Sequence, residues 1–142
     1  MADQDSAQVA RGLVAAFNDG DWDAVRNTLT ADCVYDEVGT SRRLEGVDTI
    51  ISALRGWKEA MPDVKGTIAN SVVAGNTAVL ELTWTGTQTG PMPTPSGTIP
   101  ASGKSQTTRA SWVVECTGGK VKESRQYFDM LSFLQQIGAI PE

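Results

Sequence analysis

Residues 77–89 constrain the fold more than any other part of this sequence. Their odd-numbered positions are mostly threonine, whereas the even-numbered positions begin with Ala78, Leu80, Leu82 and Trp84. Because successive side chains of a strand point to opposite faces of a sheet, this alternation predicts one long strand. One face of that strand is apolar, and the other face meets water or lies at a sheet edge.

Other apolar patterns divide the chain into helices near its start and strands further on. Apolar residues at helical spacing predict three helices in the first half of the chain and a short one at the end. The predicted helices are 6–18, 22–29, 47–60 and 130–137, and the remaining predicted strands are 33–38, 64–73, 104–116 and 120–128. Three helices followed by a mostly antiparallel sheet is an α+β arrangement, and 142 residues suit a single domain spanning 1–142.

Histidine is absent from the sequence. This excludes a Ser-His-Asp or Cys-His triad. It also argues against a zinc site, since only carboxylates and two distant cysteines remain as ligands. We therefore expect no metal site, and we expect any acid–base chemistry near neutral pH to use carboxylates, tyrosine, lysine or water.

Charge and hydropathy limit the partners of the chain. The net charge is −5, which argues against a nucleic-acid partner because no excess of cations is available to neutralise phosphates. No apolar run approaches the length of a membrane span, and the polar N-terminus is unlike a signal peptide. The spacing of Cys33 and Cys116 matches no metal or redox motif, so we expect reduced, buried packing residues and a cytoplasmic protein.

The region 90–103 contains four prolines between two predicted strands. A loop of this length without secondary structure is uncommon in a compact domain and is usually functional. Two interpretations remain open: a rim or lid over a pocket, and a mobile connection between two strands.

The chain ends with an acidic residue placed between a predicted strand and a predicted helix. Strand alternation puts Val121, Glu123, Arg125, Tyr127 and Asp129 on one face. If that face lines a cavity, desolvation would raise the pKa of Asp129 and the nearby Arg125 would lower it, which could make a tuned proton acceptor. Spacing alone favours the other interpretation, in which Asp129 caps the last helix.

Three stretches carry a resemblance to a known family. They are GKVKESRQYFDMLSFLQQIGAIP at the end, WTGTQTGP from Trp84, and the run from FNDGDW at Phe17 through Pro62-Asp63. Over nearly its whole length the chain resembles the SnoaL-like polyketide cyclases of the nuclear transport factor 2-like superfamily. The resemblance implies a cone-shaped α+β barrel, in which three N-terminal helices pack on a strongly curved, mostly antiparallel sheet and a short C-terminal helix follows. The cone would hold a deep pocket for a small hydrophobic ligand.

The same resemblance implies a set of catalytic residues. Asp129 takes the place of the family's general base, and Arg109, Gln88 or a tyrosine hydroxyl would stabilise an enolate oxygen. Arg109 would pair with Asp129 or Glu123 when no ligand is bound. The chain departs from the family pattern with Arg125 where tryptophan is usual and Gln88 where histidine is often found.

A second set of residues is implied as the wall of the substrate pocket. It consists of Phe17, Tyr35, Trp57, Leu82, Trp84, Ser111 and Tyr127. The predicted activity is proton abstraction next to a carbonyl, followed by intramolecular aldol ring closure in a small hydrophobic carbonyl-containing molecule. No cofactor is needed for such a reaction.

Two alternatives to a cyclase remain open. One is a non-catalytic domain that binds a small hydrophobic ligand or dimerises. The other is a steroid isomerase-like enzyme, whose base would fall on Asp36, although its oxyanion donors would fall on Leu13 and Ser111, which cannot replace them. Whether Asp36 or its neighbour Glu37 shares the chemistry is also open.

The predicted strand 104–116 indicates a partner as well. Ala110, Trp112 and Val114 lie on the strand face opposite Ser111, and they are apolar. An exposed apolar face needs cover. We therefore expect a homodimer formed through the outer face of the sheet.

Overall fold

The structure, a computed structural model, describes residues 2–141, with side chains for residues 6–141. Four helices and eight strands follow one another along these residues. In chain order they are α1 (Ala2–Asp19), α2 (Trp22–Thr28), β1 (Leu29–Glu37), a 3-10 turn (Val38–Thr40), β2 (Arg42–Glu45), α3 (Val47–Ala60), β3 (Lys65–Ala74), β4 (Thr77–Thr87), β5 (Met92–Thr94), β6 (Gly97–Ile99), β7 (Ser105–Thr117), β8 (Lys120–Phe128) and α4 (Met130–Gln136).

Six strands form one sheet in the order β2-β1-β8-β7-β4-β3. All neighbours in this sheet are antiparallel except β1 and β8, which are parallel. The sheet curves into a cone, α1 packs against β3 and β4, and α3 packs against β1. The predicted cone-shaped α+β barrel is confirmed.

The core lies between the helices and the concave face of the sheet. Leu13, Val14 and Phe17 of α1 are buried against strand residues such as Leu80 and Val114. Burying an aliphatic or aromatic side chain of this size contributes about 1.5–3 kcal/mol. The apolar stripe of α1 and the apolar face of β4 therefore fix how the helix lies on the sheet.

The inward face of β7 is the opposite of the predicted one. Ala110, Trp112 and Val114 are buried, whereas Arg109 is exposed and Ser111 is only half-buried. The prediction that Arg109 and Ser111 face inward is wrong, because the apolar set of the strand takes the buried side. The predicted homodimer rested on an exposed apolar face formed by Ala110, Trp112 and Val114, and these residues are buried inside the protomer. The homodimer stays a prediction.

An irregularity in β8 reverses the predicted face there. Glu115 pairs with Glu123, but the next residue of β7 pairs with Val121, so β8 has one extra residue at Lys122. Such a bulge shifts the alternation by one position. Val121 is buried before it and Gln126 after it, so the prediction that residues 121–129 present one continuous alternating face is wrong.

The region 90–103 contains secondary structure, contrary to the prediction of an unstructured loop. Strands β5 and β6 pair as a short hairpin, with Met92 opposite Ile99. Gln88 anchors the base of this hairpin: its Nε2 donates to the carbonyl oxygens of Gly90 (3.0 Å) and Pro100 (3.1 Å), and its Oε1 accepts from the Ser102 amide (3.1 Å). The hairpin is therefore anchored at its base by one buried side chain.

Both cysteines are buried and free. Burial, with smaller contributions from the charges of Asp32 and Glu123, raises the pKa of Cys33 to about 12. The structure thus supports packing roles for Cys33 and Cys116. Within residues 2–141, no helix is both long and apolar enough to cross a membrane.

Candidate functional site

An apolar cavity occupies the interior of the cone. The centre of a water molecule can occupy about 60 Å³ of it. Its lining is largely aromatic, with a few polar side chains. The lining residues are Phe17, Tyr35, Glu37, Leu54, Trp57, Met61, Val64, Trp84, Gln106, Thr108, Trp112, Gln126, Phe128 and Phe133.

The carboxyl group of this cavity belongs to Glu37, at the end of β1. Its side chain is fully buried. Oε1 accepts from Arg42 Nη2 at 2.7 Å, Arg42 Nε at 3.0 Å and Thr40 Oγ1 at 2.5 Å, and Oε2 accepts from Trp57 Nε1 at 3.0 Å. A buried carboxylate is tolerated only with such partners. These donors hold Glu37 in one orientation at the cavity wall.

A chain of hydrogen bonds crosses the cavity beside Glu37. Trp84 Nε1 donates to Gln126 Oε1 at 2.6 Å, and Gln126 Nε2 donates to the Tyr35 hydroxyl oxygen at 2.8 Å. Because that oxygen accepts from Gln126, the hydroxyl proton of Tyr35 is left to donate to the side chain of Glu37. Burial, followed by the charge of Glu37, raises the pKa of Tyr35 well above its usual value. Tyr35 therefore remains a neutral hydrogen-bond donor.

Other polar groups of the lining have weak partners or none. Gln106 Oε1 accepts from Thr108 Oγ1 at 2.5 Å, but the one acceptor for Gln106 Nε2 among the described residues is the sulfur of Met61, at 3.5 Å. The buried Nε1 of Trp112 has no hydrogen-bond partner among the described residues. Buried donors normally find acceptors. The lining therefore holds N–H groups that an acceptor atom of a ligand could satisfy.

Edge-to-face aromatic contacts hold the walls of the cavity in place. The ring centroids of Phe17 and Trp84 lie 5.3 Å apart, and Trp57 lies 5.5 Å from Phe133 and 6.2 Å from Phe128. Each such contact contributes about 0.5–1.5 kcal/mol beyond buried area. The cavity is consequently shaped by large side chains with few alternative rotamers.

Some of the predicted pocket residues lie in or near the cavity wall. Phe17, Tyr35, Trp57 and Trp84 line the cavity, and Leu82 is buried on the inner face of β4 but is not part of the lining. Their roles in binding a substrate stay predictions.

Asp129 lies outside the cavity. Its side chain is exposed and caps α4, with Oδ1 accepting from the Ser132 amide at 3.0 Å. The expected dry site for Asp129 is therefore wrong, and the capping interpretation is right. Tyr127 is 45% exposed and lies opposite Ser111 on the outer face of the sheet. The bulge in β8 explains these placements, because it turns Phe128 inward and its two neighbours outward.

The predicted partners of Asp129 are dispersed as well. Arg109 is exposed on the outer face, and Gln88 is buried beneath the β5–β6 hairpin with its amide group engaged there. Arg125 does not approach Asp129 but pairs with Glu115 at 2.6 Å. The structure thus brings none of these side chains to the cavity.

The position of Asp36 also differs from that required of a pocket base. Asp36 lies on the strand face opposite Tyr35 and Glu37, between Arg43 of β2 and Arg125 of β8 in the pairing register. Since Tyr35 and Glu37 share the inward face, the steroid isomerase-like assignment to Asp36 lacks the necessary geometry. The alternation of Cys33, Tyr35 and Glu37 was the signal that could have identified Glu37.

Comparison with known proteins places the chain in a family. The profile of the SnoaL-like polyketide cyclases matches residues 7–137. No curated protein sequence matches the chain significantly. Several solved structures do share its fold.

A candidate SnoaL-like polyketide cyclase from Jannaschia sp. CCS1 superposes with a TM-score of 0.85 at 23% identity, covering 98% of this chain and 95% of that one. TsrD from Streptomyces laurentii superposes with a TM-score of 0.81 at 26% identity, and the match covers 96% of this chain and 97% of TsrD. An LEH-like epoxide hydrolase from M. tuberculosis superposes with a TM-score of 0.74 at 19% identity, and the match covers 96% of this chain and 92% of the hydrolase. The fold is therefore shared with proteins of more than one activity, whereas the sequence profile is specific: the chain belongs to the SnoaL-like polyketide cyclase family.

Proposed function

We propose that this protein is a cofactor-independent acid–base enzyme that acts on a small hydrophobic carbonyl compound. The observation that carries the proposal is the fully buried carboxyl group of Glu37 at the wall of an aromatic cavity, beside the neutral hydroxyl of Tyr35. Glu37 takes the role that the family resemblance gave to Asp129. The family and the cyclase- or isomerase-type fold support this class of reaction.

The proposed reaction begins with the transfer of a proton from carbon to Glu37. The carbon lies next to a carbonyl group. As Glu37 becomes protonated, the hydroxyl of Tyr35 leaves the Glu37 carboxylate and donates its hydrogen bond to the developing enolate oxygen. The enolate carbon then attacks a second carbonyl of the same molecule. Glu37 returns the proton to the resulting alkoxide, so the product is an isomer of the substrate and no co-reactant is consumed.

The surrounding residues contribute position rather than bond making. Arg42 and Trp57 fix both oxygens of Glu37, and Gln126 orients the hydroxyl of Tyr35. The aromatic walls exclude water, which strengthens hydrogen bonds to a charge that develops in the cavity. Holding the two reacting carbonyl groups together adds the advantage of an intramolecular reaction.

The test is deuterium exchange at the α-carbon of α-tetralone in D₂O, a hydrophobic ketone whose exchange reports the first step. We expect the wild type to accelerate exchange and Glu37→Gln to lose at least about 100-fold of that acceleration. Asp129→Asn is the matched control, because asparagine caps a helix as well as aspartate does. Loss of exchange in Asp129→Asn with full exchange in Glu37→Gln would return the base to the predicted position.

A non-catalytic ligand-binding domain is a second candidate. It is favoured by the fact that Glu37 already accepts hydrogen bonds from Thr40, Arg42 and Trp57. In that case the wild type would bind α-tetralone without accelerating its exchange. Saturation-transfer NMR on the same samples measures binding and separates the two functions.

A further inference from the structure

A second and larger cavity adjoins the one inside the cone. It is a cleft between α3, the 3-10 turn, the β5–β6 hairpin and the end of the chain from α4 onward. The centre of a water molecule can occupy about 700 Å³ of this cleft, compared with about 60 Å³ of the inner cavity. Binding sites for small molecules commonly have volumes of about 300–1,000 Å³. The outer cleft falls in this range and the inner cavity does not.

Trp57 lies at the boundary between the two spaces, because it contributes to the lining of both. Its Nε1 donates to Glu37, and its ring packs edge to face on Phe128 and Phe133. The Glu37–Arg42 pair crosses the same boundary, since Glu37 lines the inner cavity and Arg42 lines the cleft. A molecule in the cleft would therefore lie next to the group that is proposed to act as the base.

The lining of the cleft defines the chemistry of its occupant. Met92, Met130, Leu134 and Ile140 provide apolar and adaptable surface. Arg42 is the one charged residue among the described lining residues, and its Nη1 makes no hydrogen bond to the described chain. Although the protein carries a net charge of −5, the cleft presents no carboxylate from the residues described as lining it.

We infer that the outer cleft binds the bulk of an elongated apolar ligand that has a neutral or anionic oxygen acceptor, and that only one end of the ligand passes Trp57 to reach Glu37. The inference rests on the proposed function for the identity of the reacting end, but not for the binding itself. Arg42 Nη1 donates to the acceptor, and the methionines adjust to the shape of the apolar body.

Gly56 offers a way to fill the cleft without disturbing the fold. It lies in α3 and lines the cleft, and a Cβ added there would meet no atom within 4 Å. Gly56→Phe should thus place a ring in the cleft while removing a residue of poor helix propensity. Gly12 in α1 is the matched control. A Cβ added there also meets no atom within 4 Å, and Gly12 is exposed on the surface and does not line the cleft.

The probe is 8-anilinonaphthalene-1-sulfonate, which combines an apolar aromatic body with an anionic acceptor. We expect Gly56→Phe to raise its Kd at least tenfold, Gly56→Leu to raise it less, and Gly12→Phe to leave it within twofold of the wild type. Thermal melting checks that both phenylalanine variants are folded. Unchanged probe binding in folded Gly56→Phe would overturn the inference.

The outcomes for the cleft and for the base are separable. Probe binding that is blocked by Gly56→Phe, in a protein that does not accelerate exchange of α-tetralone, supports the cleft and rejects the proposed enzyme. Exchange that is lost in Glu37→Gln, with probe binding unaffected by Gly56→Phe, supports the enzyme and rejects the cleft.

Discussion

Glu37 and Arg42 form an ion pair of 2.7 Å whose two side chains differ sharply in environment: that of Glu37 is 0% exposed and that of Arg42 is 41% exposed. The pair joins the end of β1 to the start of β2 across the 3-10 turn. One end of the pair lines the inner cavity, and the other lines the outer cleft. The same contact therefore stabilises the turn and orients the proposed base.

The first prediction concerns the removal of Arg42. Arg42→Met should lower the free energy of unfolding by about 2 kcal/mol or more, because a buried carboxylate loses its cation. Adding Glu37→Gln to Arg42→Met should recover part of that loss, since no charge is then left buried. Urea unfolding of the wild type, Arg42→Met and the double variant measures these differences in the free energy of unfolding. Arg43→Met, at the exposed neighbouring position, should change the stability by less than about 0.5 kcal/mol.

The second prediction concerns pH and Tyr35. Its pKa is raised above the usual value of 10.0, first by burial and then by Glu37. The unfolded chain therefore loses this proton near pH 10 while the folded protein keeps it, so stability that is present below pH 10 falls as the pH rises above it. The slope contributed by this group is at most about 1.4 kcal/mol per pH unit.

Tyr35→Phe isolates this contribution. The variant should be about 1–3 kcal/mol less stable at neutral pH, because Gln126 Nε2 loses its acceptor. Between pH 9 and 11 its stability should fall less steeply than that of the wild type in urea unfolding. Cys33, whose pKa is raised to about 12, also makes the folded protein less stable at alkaline pH. Because both proteins contain Cys33, its contribution cancels when their stabilities are compared. If stability fell equally steeply with pH in the wild type and in Tyr35→Phe, the alkaline loss of stability would not come from Tyr35.

Much of the fold could be predicted from the sequence because its periodicities are long. The alternation around Leu80 and Leu82 and the helical stripe of α1 extend over many residues, so they specify both the elements and the buried face. The α+β cone follows from the resemblance together with this order of elements. Phe17 and Trp84 lie on those two elements, and both line the cavity as the family resemblance implies.

The site was predicted less well because its register depends on tertiary pairing. A single extra residue at Lys122 reverses the face of β8, and nothing in the local alternation marks it. The prediction followed the position of Asp129 and so selected the outward set, whereas Gln126 and Phe128 point into the cone. Glu37 was missed as the main carboxyl group because its burial depends on Arg42 and Trp57, which reach it from other elements.

The third prediction concerns Asp129 as a capping residue. Asp129→Ala should lower the free energy of unfolding by about 0.5–2 kcal/mol, because the Ser132 amide loses its acceptor. Asp129→Asn should be near neutral, since asparagine supplies the same oxygen. Urea denaturation of both variants measures the difference. Equal and large destabilisation by the two substitutions would instead indicate that the negative charge itself is required.

The fourth prediction concerns Gln88 and the hairpin wall of the outer cleft. Gln88→Leu removes the acceptor for the Ser102 amide and the donors to Gly90 and Pro100, while nearly preserving side-chain volume. We expect amide hydrogen exchange to become at least tenfold faster across the β5–β6 hairpin, and we expect little change in β4 and β7, which pair independently of it.

A matched variant separates the loss of the anchor from a general loss of stability. Gln135→Leu, in α4, removes an amide that makes one long hydrogen bond within the described residues, 3.4 Å from its Nε2 to the carbonyl oxygen of Pro141. In Gln135→Leu, the amide hydrogens of the β5–β6 hairpin should exchange at the wild-type rate. Since the hairpin forms one side of the cleft, Gln88→Leu should also weaken binding of 8-anilinonaphthalene-1-sulfonate, whereas Gln135→Leu should not. A hairpin that stays protected in Gln88→Leu would show that packing around Met92, which is only 6% exposed, is sufficient to hold it.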